Sequence, residues 1–331
     1  MSREKRVRMK YFSQDYFDQL KDVVLQYTFN NYDYCYLRAM HEKNAREGTE
    51  TIIAGSSHAM NGLVNENLSG GCINFSISSQ DIYYDFCHIK KAVKEGRQKI
   101  KRCIINIGYY MLYQDLSYSK MMSYLIPSVY FPLFGDTHHY RIEKEYDMWG
   151  KITADKSMYS GELIKKLCEE WSEGFFLEEP SFYGSMKTRE NNNIYGLKKI
   201  IWNTLTEAEK EEAAIERTRD HNRLKQHEQS RMENGELIRE MTAYLHARDI
   251  KPIFVIFPFT AWYNRYIDGV YKADIFELLD GLSVPVEFLD MNDYEGVFCD
   301  ADFLDTDHLN KQGALKATAF LNEYLNMLMQ E

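Results

Sequence analysis

The sequence contains no Cys-x-x-Cys pair, no long basic run and no unbroken apolar stretch of membrane-spanning length. Each absence excludes a class. Six cysteines, Cys35, Cys72, Cys87, Cys103, Cys168 and Cys299, stand apart from one another. Without paired spacing they argue against a zinc ribbon or a disulfide frame, and they fit a reducing compartment. Cys72 and Cys103 lie in apolar runs, where a free thiol behaves as a small hydrophobe. The formal net charge is -10. Nucleic acid requires clustered Lys and Arg against its phosphates, so it is excluded as a partner. The longest apolar stretches, around 124–134 and 252–263, are broken by proline and fall short of the roughly 20 residues that cross a bilayer. No transmembrane segment is expected. The basic start (Arg3, Lys5, Arg6, Arg8, Lys10) leads into polar and aromatic residues rather than a signal-peptide core, which points to a cytoplasmic protein. There is no internal repeat and no low-complexity linker.

What is present is enough for a large core: 331 residues, 44% hydrophobic and 14% aromatic. Residues 1–48 read as a helical, aromatic lead-in, with Phe17, Leu20, Val23, Val24 and Tyr27 at helical spacing. Apolar strands are expected at Thr51–Ala54, Cys72–Ile77, Cys103–Ile107, Ile253–Phe257 and Val286–Leu289. They are continuously apolar rather than alternating, as in a parallel sheet covered on both faces. Between the second and third, Ile82, Phe86, Ile89 and Val93 make one helical stripe, with Ser78 and Asp81 at capping-box spacing before it. Thr206 with Glu209 gives a second capping signature. Charged residues 207–232 read as a solvated helix face, and a last helix begins near Lys311, capped by Asn310. The fold class is therefore α/β, a three-layer α/β/α sandwich on a parallel sheet of about five strands. The main domain is 49–331, interrupted by an insertion at 109–204 that is mostly helical and rich in Tyr, Phe and Met.

Open parallel sheets carry their crevice at the carboxyl ends of the strands. Ser57, Ser78 and Ser79, Tyr109 and Tyr110, Thr260 and the loop 302–310 all fall there. A serine hydroxyl needs a base to act as a nucleophile, and the base needs a group that fixes its tautomer. Asp305 and His308, three residues apart in one loop, are suited to supply both to Ser57. His58 and Asn61 follow the serine closely and are candidates for substrate contact. Adjacent His138 and His139, with no other ligand near in sequence, are expected to be surface residues rather than metal ligands.

Gly55-Ser56-Ser57-His58 after a strand, Asn74-Phe75-Ser76-Ile77-Ser78-Ser79 after the next, and Asp305-x-x-His308 before the final helix resemble blocks of the SGNH (GDSL-like) hydrolase family. The resemblance covers 50–110 and 250–330, and it implies a flavodoxin-like α/β sandwich. It implies a nucleophile at Ser57, a base at His308, an orienting carboxylate at Asp305 in preference to Asp307, and an oxyanion hole from the Ser57 and Ser79 amides. It also implies a serine esterase or O-acyltransferase acting on a small-molecule or carbohydrate ester, with no cofactor and no metal. Three positions depart from the family pattern. Ser56 replaces the usual aspartate, a form that resembles the branch tied to surface-polysaccharide and teichoic-acid acyl transfer. Ser79 replaces the oxyanion-hole glycine. Gly108-Tyr109-Tyr110 replaces Gly-x-Asn, leaving the Tyr110 hydroxyl as the candidate side-chain donor. This last departure also supports a second reading, a catalytically silent binding or assembly module of a polysaccharide locus.

Overall fold

In the computed structural model, residues 32–141 and 202–328 are described, except Gln98 and Met121. The remainder of the lead-in, with its stripe from Phe17 to Tyr27, and insertion residues 142–201 lie outside the described residues. Five parallel strands form one sheet: β1 (Thr51–Ala54), β2 (Ile73–Asn74), β3 (Arg102–Asn106), β4 (Lys251–Ile256) and β5 (Glu287–Asp290), in the order β2-β1-β3-β4-β5. The chain runs outward from β1 to β2, then returns to place β3 on the other side of β1. That reversal opens a crevice at the carboxyl ends of β1 and β3.

Successive residues of a strand point to opposite faces, so a strand buried on both sides feeds two cores. Ile52, Ala54, Cys103, Ile105, Phe254 and Ile256 enter one core, while Ile53, Ile104, Ile253, Val255 and Leu289 enter the other. The first core is closed by α1 (Tyr32–Arg46), the helix Ile82–Glu95, the helix Glu228–His246 and the helix Val270–Asp280. The second is closed mainly by the C-terminal helix Lys311–Met327 through Ala317, Leu321 and Leu325. This is the three-layer α/β/α sandwich that continuous apolar strands imply.

In chain order the remaining helices are α2 (Ser57–Gly62), α3 (Ile82–Glu95), α4 (Phe131–Phe134), α5 (Glu207–Asn222), α6 (Glu228–His246), α7 (Ala261–Tyr266), α8 (Val270–Asp280) and α9 (Lys311–Met327). Caps set several of their starts. Thr206 and Glu209 form a reciprocal capping box on α5, Thr260 caps α7 through the Tyr263 amide, and Asn310 caps α9 through the amides of Gln312 and Gly313. For α3 the cap is Asp81, which accepts from the Tyr84 amide, rather than Ser78. Strand β2 is shorter than its apolar run, because Asn74 Oδ1 accepts the Ser76 amide and turns the chain. The charged stretch 207–232 is not one helix but the whole of α5, a 3-10 turn at Arg223–Gln226 and the start of α6. The described parts of the insertion, 109–141 and 202–204, consist of short 3-10 turns, a π turn at Ile126–Tyr130 and α4, with their connecting turns. Among the described residues no helix is long and apolar enough to cross a membrane.

Candidate functional site

Strand β1 ends at Ala54, and the chain must turn sharply before α2. Gly55 makes that possible at φ +154°, because a Cβ there would fall 2.5 Å from Asn106 Cβ on the neighbouring strand. Asn106 in turn accepts the Ser56 amide at 3.3 Å and the Ser56 hydroxyl at 3.2 Å through Oδ1. Its Nδ2 donates to the Val255 carbonyl on β4. The turn is thus fastened across β1, β3 and β4, and Ser57 stands at the first position of α2, partly exposed.

The loop after β5 is built to hold its shape. Phe303 pairs with Leu309, the Leu304 amide donates to the His308 carbonyl, and Asn310 Nδ2 donates to the carbonyls of Ala301 and Phe303. Lys316 and Gln312 of α9 bind the buried Asp302 carboxylate. Thr260, just past β4, donates its hydroxyl to the Thr306 carbonyl at 2.7 Å. Within this frame Asp305 Oδ1 accepts the amides of Asp307 and His308, at 3.1 and 2.9 Å.

Ser57, His308 and Asp305 meet in one line. Ser57 Oγ lies 2.9 Å from His308 Nε2, and His308 Nδ1 lies 3.0 and 3.1 Å from the two Asp305 carboxylate oxygens. An ionised carboxylate only accepts, so Nδ1 carries the proton and Nε2 is the acceptor for the serine hydroxyl. Burial would lower the His308 pKa, but the Asp305 and Asp307 carboxylates outweigh it and hold it above the ordinary histidine range; Arg217 pulls the other way. For Asp305 the His308 ring outweighs burial and holds the carboxyl below its usual range. Such a line can pass a proton from the serine oxygen to the imidazole while a carboxylate steadies the charge.

Asp307 is neither a helix cap nor solvent-facing. It is 2% exposed, beneath the same loop. Arg217 of α5 binds it with Nε at 3.0 Å from each oxygen and Nη2 at 2.8 Å. Burial would raise its pKa, but Arg217, His308 and His58 hold it well below the usual carboxylate range. His58 also lies inward rather than toward a substrate. It is buried, its Nε2 is 3.3 Å from Asp307 Oδ2, and its ring stacks on His308 at 5.0 Å between centroids. Burial dominates its pKa and lowers it, leaving a neutral ring that donates from Nε2 to Asp307. Asn61 is buried too and donates to the Ser57 carbonyl within α2, so it offers no side chain to solvent.

Ser79 adopts φ +60°, the left-handed conformation for which glycine is the natural residue. The amides of Ser57 and Ser79 make no hydrogen bond among the described residues. Tyr110 stacks face to face on His221 at 3.7 Å and is buried. Tyr109 turns away to donate to Asp290 at 2.8 Å. Asn106, Arg217 and His221 were not singled out by the sequence. Arg217 and His221 lie in a helix whose charge pattern reads as solvated throughout, and Asn106 lies inside an apolar strand. Comparison with protein-family models finds no match, and no curated protein shows significant sequence similarity.

Proposed function

We propose that this protein is a serine esterase or O-acyltransferase of the SGNH type, working through an acyl-Ser57 intermediate. The observation that carries the reading is the Ser57–His308–Asp305 line at 2.9 and 3.0 Å, set at the carboxyl edge of a parallel sheet. Ser57 Oγ attacks an acyl carbonyl as His308 Nε2 takes its proton; Asp305 stabilises the imidazolium that results. The oxyanion faces the amides of Ser57 and Ser79. The ester C–O bond then breaks and His308 returns the proton to the departing alcohol. Water or a second hydroxyl, deprotonated by the same His308, takes the acyl group from Ser57. A carbohydrate ester is the substrate class, by resemblance to the Gly-Ser-Ser branch. The free thiols of Cys72, Cys87, Cys103 and Cys299 suit a reducing compartment, the cytoplasm.

A fluorophosphonate probe tests the reading directly. Labelling of the full chain should map to Ser57, vanish in Ser57→Ala and weaken strongly in His308→Ala. Absence of labelling under conditions that mark a control esterase would sink it. The second reading, a silent module of the same fold, is favoured by Tyr110, whose ring lies against His221 where the family pattern has a side-chain donor to the oxyanion.

A further inference from the structure

Four ligand-type side chains that the proposed reaction does not use converge on the other side of the 109–118 segment. Asp115 caps the 3-10 turn at Leu116–Tyr118, His138 and His139 lie in the turn after α4, and Glu233 projects from α6. Their potential ligand atoms all lie within 4.8 Å of one another. His139 Nδ1 is 2.8 Å from Asp115 Oδ2 and His138 Nε2 is 3.0 Å from Glu233 Oε1. The crossed pairs, His138 Nδ1 to Asp115 Oδ1 and His139 Nε2 to Glu233 Oε1, are 3.7 and 3.5 Å. A tetrahedral zinc site with bonds of 2.0–2.2 Å has ligand-to-ligand edges of about 3.4 Å, inside this spread.

A second observation points the same way. The His138 side chain is only 9% exposed, and its buried Nδ1 has no hydrogen-bond partner among the described residues. The nearest acceptor, Asp115 Oδ1 at 3.7 Å, is too far for a hydrogen bond, and a buried ring nitrogen without one is costly. The ring is also held in place. Tyr83 stacks on one face at 3.9 Å and His139 on the other at 3.9 Å, while Asp136 takes the Tyr83 hydroxyl and the His138 amide. His139 is 34% exposed, so the cluster opens to solvent on its side.

We propose that Asp115, His138, His139 and Glu233 form a structural binding site for a divalent transition cation of the zinc type. Two imidazoles select against magnesium and calcium, which prefer oxygen alone. Two carboxylates neutralise the cation, and four protein ligands close its shell, the pattern of a structural rather than a catalytic site. Next to Glu233, Asn234 donates to the carbonyls of Leu112 and Gln114. The cation would therefore fasten α6 to the segment whose Met111 sulfur lies 3.8 Å from Ser56 Oγ.

Tag-free full-length protein, stripped with a chelator, is titrated with Zn2+ by calorimetry and with Co2+ by visible absorption. One equivalent should bind at micromolar affinity or tighter, raise the melting temperature and give tetrahedral Co2+ bands, while millimolar Mg2+ fails to compete. Glu233→Gln, conservative and partly exposed, should weaken binding at least tenfold with its circular dichroism unchanged, and His139→Ala should do the same. His308→Ala should bind as the wild type does, since the other compact group, His58, Asp307 and His308, lies elsewhere. No stoichiometric binding, or binding lost in His308→Ala and retained in Glu233→Gln, overturns the proposal.

Discussion

Arg217 grips Asp307 from a helix 90 residues earlier in the chain, with both oxygens engaged by Nε and one also by Nη2. The guanidinium thereby offsets the second carboxylate beside His308. Asp305 and Asp307 both face His308 Nδ1, at 3.0 and 3.5 Å, but only Asp307 carries a permanent counter-cation. His308 feels two carboxylates that raise its pKa and one arginine that lowers it.

A pH profile reads this balance. A base works in its neutral form, so activity should climb as pH rises through the His308 pKa, at a pH above the ordinary histidine range. Asp305→Asn removes a charge that raises the pKa, so the rising limb should move to lower pH. Arg217→Gln removes a charge that lowers it, so the limb should move to higher pH. Profiles of kcat/KM on an activated ester check both; shifts in the same direction would refute the assignment of signs.

Loss of Asp305 should be milder than loss of the carboxylate in a site that has only one. Asp307 Oδ1 stands 3.5 Å from the same ring nitrogen and can take over part of the orienting role. The expected drop in kcat for Asp305→Asn is about 10- to 100-fold, against about 10⁴ where no substitute exists. Asp305→Asn combined with Asp307→Asn should lose more than the product of the two single losses, a non-additivity measurable by steady-state kinetics.

Two turn positions should respond oppositely in thermal or denaturant melts. Gly55→Ala forces a methyl to 2.5 Å from Asn106 Cβ and should cost about 1–3 kcal/mol or more. Ser79→Gly relieves a left-handed serine, worth about 1–2 kcal/mol, against an entropy cost of about 0.5–1 kcal/mol. Its stability should be equal to or slightly above that of the parent, whereas Ser79→Val should be destabilising.

Asp85 of α3 gives a test independent of the reaction. It is fully buried, accepts from Gln80 Nε2 at 2.7 Å through Oδ1, and has no hydrogen-bond partner at Oδ2 among the described residues. Burial pushes its carboxyl well above the ordinary range. The folded state then holds a proton that the unfolded chain releases near pH 4, so this group's contribution falls as pH rises from there toward neutrality. Asp85→Asn mimics the protonated form. Its stability relative to the parent should be lowest near pH 4 and grow as pH rises above it, as measured by denaturation midpoints; a flat difference would contradict it.

The sheet was legible because Ile52–Ala54, Cys103–Ile105 and Ile253–Ile256 are apolar on consecutive positions, and so on both faces, as strands of a covered parallel sheet are. Asp305 and His308 were legible as a pair because one turn carries both. The rest of the site depends on long-range packing. Asp305 spends one oxygen on the amides of Asp307 and His308, and that turn sends the Asp307 side chain inward to Arg217, which no local spacing reveals. His58 follows Ser57 on a helix, so the two side chains diverge; yet the 302–310 loop folds over α2 and brings His308 against the His58 ring. His138 and His139 read as surface residues because their carboxylate neighbours are 24 and 95 positions away.

The hydrogen bond between Ser57 and His308 joins residues 251 positions apart. Closing so long a loop carries an entropy cost, and contacts this distant in sequence slow folding. During synthesis the serine leaves the ribosome long before its imidazole exists, and β5 and α9 must dock before the two can meet. A half-made or truncated chain would lack the Ser57–His308 contact altogether, so under the proposed function labelling of Ser57 by a serine probe would double as a readout that the whole sandwich has closed.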